Sequence, residues 1–104
     1  MIQTLKNILG LGARVDYQKL AQEGAQIIDV RTKSEFESGH LRQSINIPLQ
    51  SLGNNLSKIR KDKPVIICCA SGIRSASAKR LLKQRGFEKV YNGGGWISLE
   101  SKLK

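Results

Sequence analysis

Residues 67–75 read ICCASGIRS and place Cys68, Cys69 and Arg74 within one short stretch. A thiolate is a strong nucleophile, and a permanently charged guanidinium nearby favours its ionised form. Counted from Cys69, the arginine closes a C-x4-R loop; counted from Cys68 it closes C-x5-R. The two registers describe anion cups of different size, and the size limits what the sulfur can attack. The residue types raise a further expectation. Gly72 tolerates backbone angles that let successive N–H groups point at one spot. A helix starting after the loop adds its positive dipole end and unpaired N–H donors. A cysteine at the base of such a cup has its pKa lowered from about 8.5 to roughly 3.5–7.5 and becomes an activated nucleophile.

Such a loop needs a strand before it and a helix after it, and the flanking sequence supplies both. PVIIC, residues 64–68, is the most strand-like stretch of the chain. Beyond the loop, Ala78, Leu81 and Leu82 mark one face of a helix that stops at Gly86, with Lys83 and Arg85 in its last turn. The same alternation runs through the rest of the chain. Asp16 caps a short helix ending at Gly24; QIIDVR (26–31) is a compact apolar strand; Ser34 is taken to cap a helical turn ending at Gly39. INIP (45–48) is a brief strand, and Leu49, Leu52, Leu56 and Ile59 follow at near-helical spacing. KVYN (89–92) is a last strand, and a final helical segment follows around Trp96 and Leu99; between them Gly93, Gly94 and Gly95 either bring backbone close to the loop or form a turn, the turn being the favoured reading. Strands alternating with helices predict an α/β fold, a small and mostly parallel sheet flanked by helices on both faces. In such a sheet the site lies beyond the carboxyl ends of the strands, where ASGIRS falls.

The two cysteines are not equivalent in this arrangement. Cys68 continues the apolar run Val65, Ile66, Ile67, so its thiol is expected in the core with a raised pKa. Cys69 is expected as the first residue of the turn, facing the amides.

At 104 residues, with 39% hydrophobic and 25% charged side chains, the chain is expected to form one globular domain over residues 13–104. Residues 1–12 form a separate, mildly amphipathic segment with Ile2, Leu5, Ile8 and Leu9 at helical spacing. That segment lacks the apolar run and cleavage site of an export signal, and no stretch approaches the roughly 18 apolar residues of a membrane span. A soluble, cytoplasmic protein is expected. The formal net charge is +10, of which residues 53–104 carry +9. Solvated helix faces account for much of this excess, including Lys58, Arg60, Lys61, Lys79, Arg80, Lys83 and Arg85. With 5% aromatic residues and no nucleic-acid module, the charge points to a small anion or an acidic protein rather than to nucleic acid.

Four stretches in order, IIDVRTKSEFESGHL, SINIPL, PVIICCASGIRS and VYNGGG, make the chain resemble the rhodanese family of sulfurtransferases from about residue 14 onward. The resemblance implies a rhodanese-like fold with Cys69 as catalytic residue. It implies a substrate- or persulfide-binding loop of Ala70, Ser71, Gly72, Ile73 and Arg74, with Ser75 completing the set. The implied activity moves a sulfane sulfur from thiosulfate or a similar small anionic donor to a thiol or protein acceptor, through a Cys69 persulfide and without a metal or organic cofactor. An acidic protein would suit the basic C-terminal half as acceptor. Phosphatases and arsenate reductases of similar fold use a loop one residue longer, which here would start at Cys68. They commonly place a histidine before the nucleophile, where this chain has Ile67. A non-catalytic interaction module is the third alternative. Asp29 and Arg31 are expected in support, Arg31 pairing with Glu35 and Asp29 bracing loop backbone. His40 is expected to be a surface or packing residue, and Trp96 core or rim packing.

Overall fold

The computed structural model describes residues 14–104, so the amphipathic segment at residues 1–12 lies outside the described residues. Four parallel strands, β1 (Gln26–Asp29), β2 (Ser44–Asn46), β3 (Val65–Cys69) and β4 (Val90–Gly95), form one sheet in the order β2-β1-β3-β4. Among the described residues, five α-helices lie around it, α1 (Tyr17–Gln22), α2 (Lys33–Glu37), α3 (Leu49–Leu52), α4 (Ile73–Gln84) and α5 (Trp96–Leu103), together with a 3-10 turn, Leu56–Lys58. The expected α/β class with a parallel sheet is therefore the observed one. No helix among the described residues is long and apolar enough to cross a membrane.

Side chains alternate across a strand, so β3, buried at all five positions, feeds two separate cores. Val65, Ile67 and Cys69 join Ile28, Val30, Leu52, Ala78, Leu82 and Phe87 on the face covered by α3 and α4. Ile66 and Cys68 join Leu20, Ile27, Leu41 and Leu99 on the face covered by α1 and α5. Each fully buried aliphatic side chain contributes roughly 1.5–3 kcal/mol relative to exposure. β3 is thus anchored from both sides, and the loop at its carboxyl end inherits that rigidity.

Local signals explain most element boundaries. Asp16 caps α1, its side chain accepting from the Lys19 N–H, and Gly24 turns the chain out at φ +88°. The cap of α2 is Thr32, not Ser34: Thr32 Oγ1 accepts from Glu35 N–H while the Glu35 carboxylate accepts from Thr32 N–H, a reciprocal capping box. The apolar spacing at Leu49, Leu52, Leu56 and Ile59 resolves into the single turn of α3 followed by the 3-10 turn.

Gly93, Gly94 and Gly95 are not a turn. They extend β4 along β3, with a register shift that pairs Asn92 with Ile67 but Gly94 with Cys68. Packing demands the missing side chains. A Cβ on Gly93 would stand 2.9 Å from Leu99 Cδ2, and one on Gly95 would stand 2.7 Å from the Ala70 carbonyl oxygen. β4 therefore runs against the backbone of the loop that follows Cys69.

Candidate active site

The chain leaves β3 at Cys69, passes through Ala70, Ser71 and Gly72, and enters α4 at Ile73. Gly72 adopts φ +102° and is the N-cap of α4; its Cα side also lies against Gly94, where an added Cβ would sit 3.4 Å from the Gly94 Cα. The turn curls the first amides of α4 back onto the sulfur. Gly72 N–H donates to Cys69 Sγ at 2.9 Å and Ser75 N–H at 3.4 Å, and the Ser75 hydroxyl lies 3.4 Å from the same atom. Cys69 is the last residue of β3 rather than the first of the turn, because its backbone still pairs with Gly95.

Cys69 is 1% exposed. Burial alone would raise its pKa, but hydrogen bonding with the Ser75 hydroxyl and with the amides of Ser75, Gly72 and Ser71 outweighs it, and the thiol is held below its ordinary value. Cys68 shows the opposite outcome. It faces the other core, and burial, followed by the nearby Asp29 carboxylate, pushes its thiol up to about 12 despite Arg31. Adjacent residues thus differ in the sign of their shift, and one of them alone faces the cup.

The six-residue loop closes on Arg74, whose fork is engaged. Its Nη1 and Nη2 donate to Glu35 Oε1 and Oε2 at 2.7 and 2.9 Å. The Arg74 guanidinium, with help from the Thr32 amide, holds the Glu35 carboxyl down at about 2. This corrects the expected Arg31–Glu35 pair. Arg31 instead folds back on Asp29, two residues earlier: Nε and Nη2 donate to the carboxylate at 2.8–3.0 Å. Both are buried, and Arg31 also donates to the carbonyls of Glu35 and Gly39 and stacks on Trp96, 4.9 Å from the ring centroid. Asp29 further accepts from Arg31 N–H. Asp29 thus braces the loop backbone after β1 as expected, both residues fix the β1–α2 connection, and their side-chain hydrogen bonds go there rather than to residues 70–74.

The other sequence candidates separate cleanly. Ala70, Ser71 and Ile73 are exposed, Ile73 at 77%, and rim the cup with side chains turned outward. Ser75 is fully buried beneath the sulfur. His40 stacks on Phe36 with ring centroids 3.7 Å apart, and its Nδ1 contacts the Phe36 carbonyl. Asn92, a residue the sequence did not single out, occupies the floor. Its Nδ2 donates to the Gly72 carbonyl at 3.2 Å, and its Oδ1 accepts from Gly94 N–H at 2.9 Å and lies 2.5 Å from the Ser75 hydroxyl.

A groove of about 350 Å³ opens beside Arg74, with Thr32 and Lys33 on one side and Pro48, Leu49 and Gln50 on the other. Together, the cup and groove define a small parallel α/β domain that holds a partly activated thiol among amide donors. Comparison with known proteins gives the family. A model of the rhodanese-like domain matches residues 14–98, and the chain belongs to that family. It is 40% identical over 92 residues to the Bacillus subtilis protein YqhL, covering 88% of this chain and 69% of that one. It is 34% identical to the thiosulfate sulfurtransferase GlpE of Pseudomonas savastanoi, over 79% of this chain and 77% of that one. Among solved structures, a rhodanese with anions from E. coli superposes with a TM-score of 0.66 at 30% identity, covering 71% of this chain and 89% of that one.

Proposed function

We propose that this domain is a sulfurtransferase that carries sulfane sulfur as a Cys69 persulfide. The observation carrying the reading is the set of donors converging on one sulfur: the Gly72 and Ser75 amides at the N-terminus of α4, with Ser75 Oγ alongside. Membership of the rhodanese-like family and sulfurtransferase names among its relatives support the same chemistry.

The Cys69 thiolate attacks the outer sulfur of a donor such as thiosulfate. A new S–S bond forms at Cys69 while the donor's S–S bond breaks, and its electron pair leaves with sulfite. The charge then sits on the outer sulfur, inside the ring of amides and at the positive end of α4. An acceptor thiolate next attacks that outer sulfur and expels Cys69 as thiolate, regenerating the enzyme. Arg74 supplies field at the rim while bound to Glu35, and its remaining N–H groups are free of that carboxylate to meet an anionic donor. No step draws on a metal or organic cofactor.

The longer-loop reading, with Cys68 attacking phosphorus or arsenic, is disfavoured because Cys68 faces the core under α1 and α5 and its thiol is held neutral. Mass spectrometry after thiosulfate treatment tests the proposal. A gain of about 32 Da, one sulfur atom, on Cys69 is the expected result. Its persistence in Cys69→Ser, or turnover of phosphate esters in its place, would overturn it.

A further inference from the structure

Ser75 and Asn92 meet beside the cysteine, and their hydrogen-bonding inventory allows one arrangement. A carbonyl only accepts and an amide N–H only donates, so the contacts of Asn92 with the Gly72 carbonyl and the Gly94 N–H fix its carboxamide in a single orientation. The Ser75 hydroxyl, 2.5 Å from Asn92 Oδ1, is therefore the donor of that pair. It has one proton. While that proton points at Asn92, Ser75 offers Cys69 Sγ only lone pairs across their 3.4 Å separation. Lone pairs suit a thiol, which can donate its S–H, and they are tolerated by the uncharged inner sulfur of a persulfide, which has no proton to give and no charge to repel them. They oppose a thiolate.

We propose that Asn92 is a positioning residue for sulfur transfer: Asn92 Oδ1 and Cys69 Sγ are alternative acceptors for the single Ser75 hydroxyl proton, which turns to the sulfur whenever Sγ carries charge. The proposal rests on the persulfide cycle above and adds a timing to it. Sγ is anionic when it attacks the donor and again when it leaves toward the acceptor. Between those steps the charge is on the outer sulfur, and the Ser75 proton returns to Asn92. Each change is a rotation about the Ser75 Cβ–Oγ bond, so no proton leaves Ser75 and no co-reactant is consumed. Asn92 thereby favours the states with uncharged Sγ, among them the loaded persulfide.

The surrounding ionisable groups do not contact this hydroxyl. Arg74 of α4 is bound to Glu35 of α2, whose Lys33 lines the groove beyond; Asp29 and Arg31 after β1 are bound to each other; Cys68 faces the opposite core. β4 brings Asn92 and glycines to the loop, its Tyr91 packing with the other face.

A double-mutant cycle on the Cys69 titration decides the matter, read as the pH dependence of iodoacetamide alkylation at Cys69 by mass spectrometry. No sulfur donor is involved, so the result stands apart from the sulfurtransferase reading. Asn92→Ala is expected to lower the midpoint by about one pH unit, since the freed hydroxyl then serves the thiolate alone. Ser75→Ala is expected to raise it, and adding Asn92→Ala to Ser75→Ala to leave it unmoved. Equal shifts with and without Ser75 would mean that Asn92 only braces the loop, and the proposal would fail. If Asn92→Ala does not fold, Asn92→Asp serves: its stronger acceptor should raise the midpoint more in the presence of Ser75 than in its absence, and an equal rise would also sink the idea. An unchanged midpoint in Ser75→Ala would do the same.

Discussion

Cys68 and Cys69 are consecutive residues whose side chains enter opposite cores of the sheet. A vicinal disulfide would have to wrench β3 out of its pairing with both β1 and β4. We expect iodoacetamide to label Cys69 in the native protein near neutral pH and to reach Cys68 only after denaturation, because the Cys69 sulfur faces the cup with its thiol held low, whereas Cys68 faces the core under α1 and α5 with its thiol pushed up to about 12. The lifetime of a Cys69 persulfide should be the same in wild type and Cys68→Ala. A shorter wild-type lifetime would show that Cys68 attacks the persulfide and expels sulfide from it.

The Arg74–Glu35 pair gives the protein an acid-sensitive contact beside its cup. Glu35 sits at about 2 in the folded state against an ordinary 4.5. The unfolded chain takes up this proton first as pH falls, so the contribution is complete above about 4.5 and is lost on the way down to about 2. Denaturation midpoints followed over that window should fall less steeply in Glu35→Gln than in wild type. Parallel curves would show that the pair contributes nothing to folding.

Asp29 and Arg31 present the buried counterpart. Removing one member of a buried pair strands the other's charge and costs about 3–5 kcal/mol. Asp29→Ala should lose about that much in urea denaturation, since the stranded Arg31 is only 4% exposed. Arg31→Ala also gives up the Gly39 and Glu35 carbonyl contacts and the Trp96 stack. A loss below about 1 kcal/mol in Asp29→Ala would mean that the guanidinium finds water instead.

The three glycines of β4 should respond differently to one added methyl. Gly95→Ala drives a Cβ into the Ala70 carbonyl, which cannot move without moving the loop, so persulfide formation should drop sharply. Gly93→Ala meets Leu99, Ile66 and the Ile67 carbonyl and should cost about 1–3 kcal/mol of stability through overpacking. Gly94→Ala has open space around it and pays only for φ +79°, about 1–2 kcal/mol. Thermal melts beside persulfide yields separate the three. Equal effects at Gly94 and Gly95 would contradict the close approach of Ala70.

Much of this architecture was legible in the order of residues. PVIICC, the following loop and the run to Gly86 carry their own strand, turn and helix signals, and the alternation of apolar strands with helices implied the parallel sheet. The Thr32-x-x-Glu35 capping box is written in the sequence as well, although Ser34, an equally good cap type two residues on, competes with it there. The ion pairs were not. Local spacing suggests Arg31 with Glu35, and only the folded β1–α2 connection shows Arg31 doubled back on Asp29 while Arg74, 39 residues from Glu35, takes its place. Asn92 was hidden for a related reason. An uncharged amide in a strand gives no sign of what it faces, and the one-residue register shift that sets it beside Ser75 has no signature in the glycine run other than the glycines themselves.

The last two glycines of that run leave one flank of the loop as bare backbone. Gly95 packs against the Ala70 carbonyl, with no room there for a side chain, and the Gly94 N–H is held by Asn92. Side chains beside the cup come instead from the groove next to Arg74, where Thr32, Lys33, Leu49 and Gln50 line the surface. The domain is therefore lopsided in its capacity to change: a side chain can be exchanged along the groove, whereas at Gly95 a single methyl meets loop backbone.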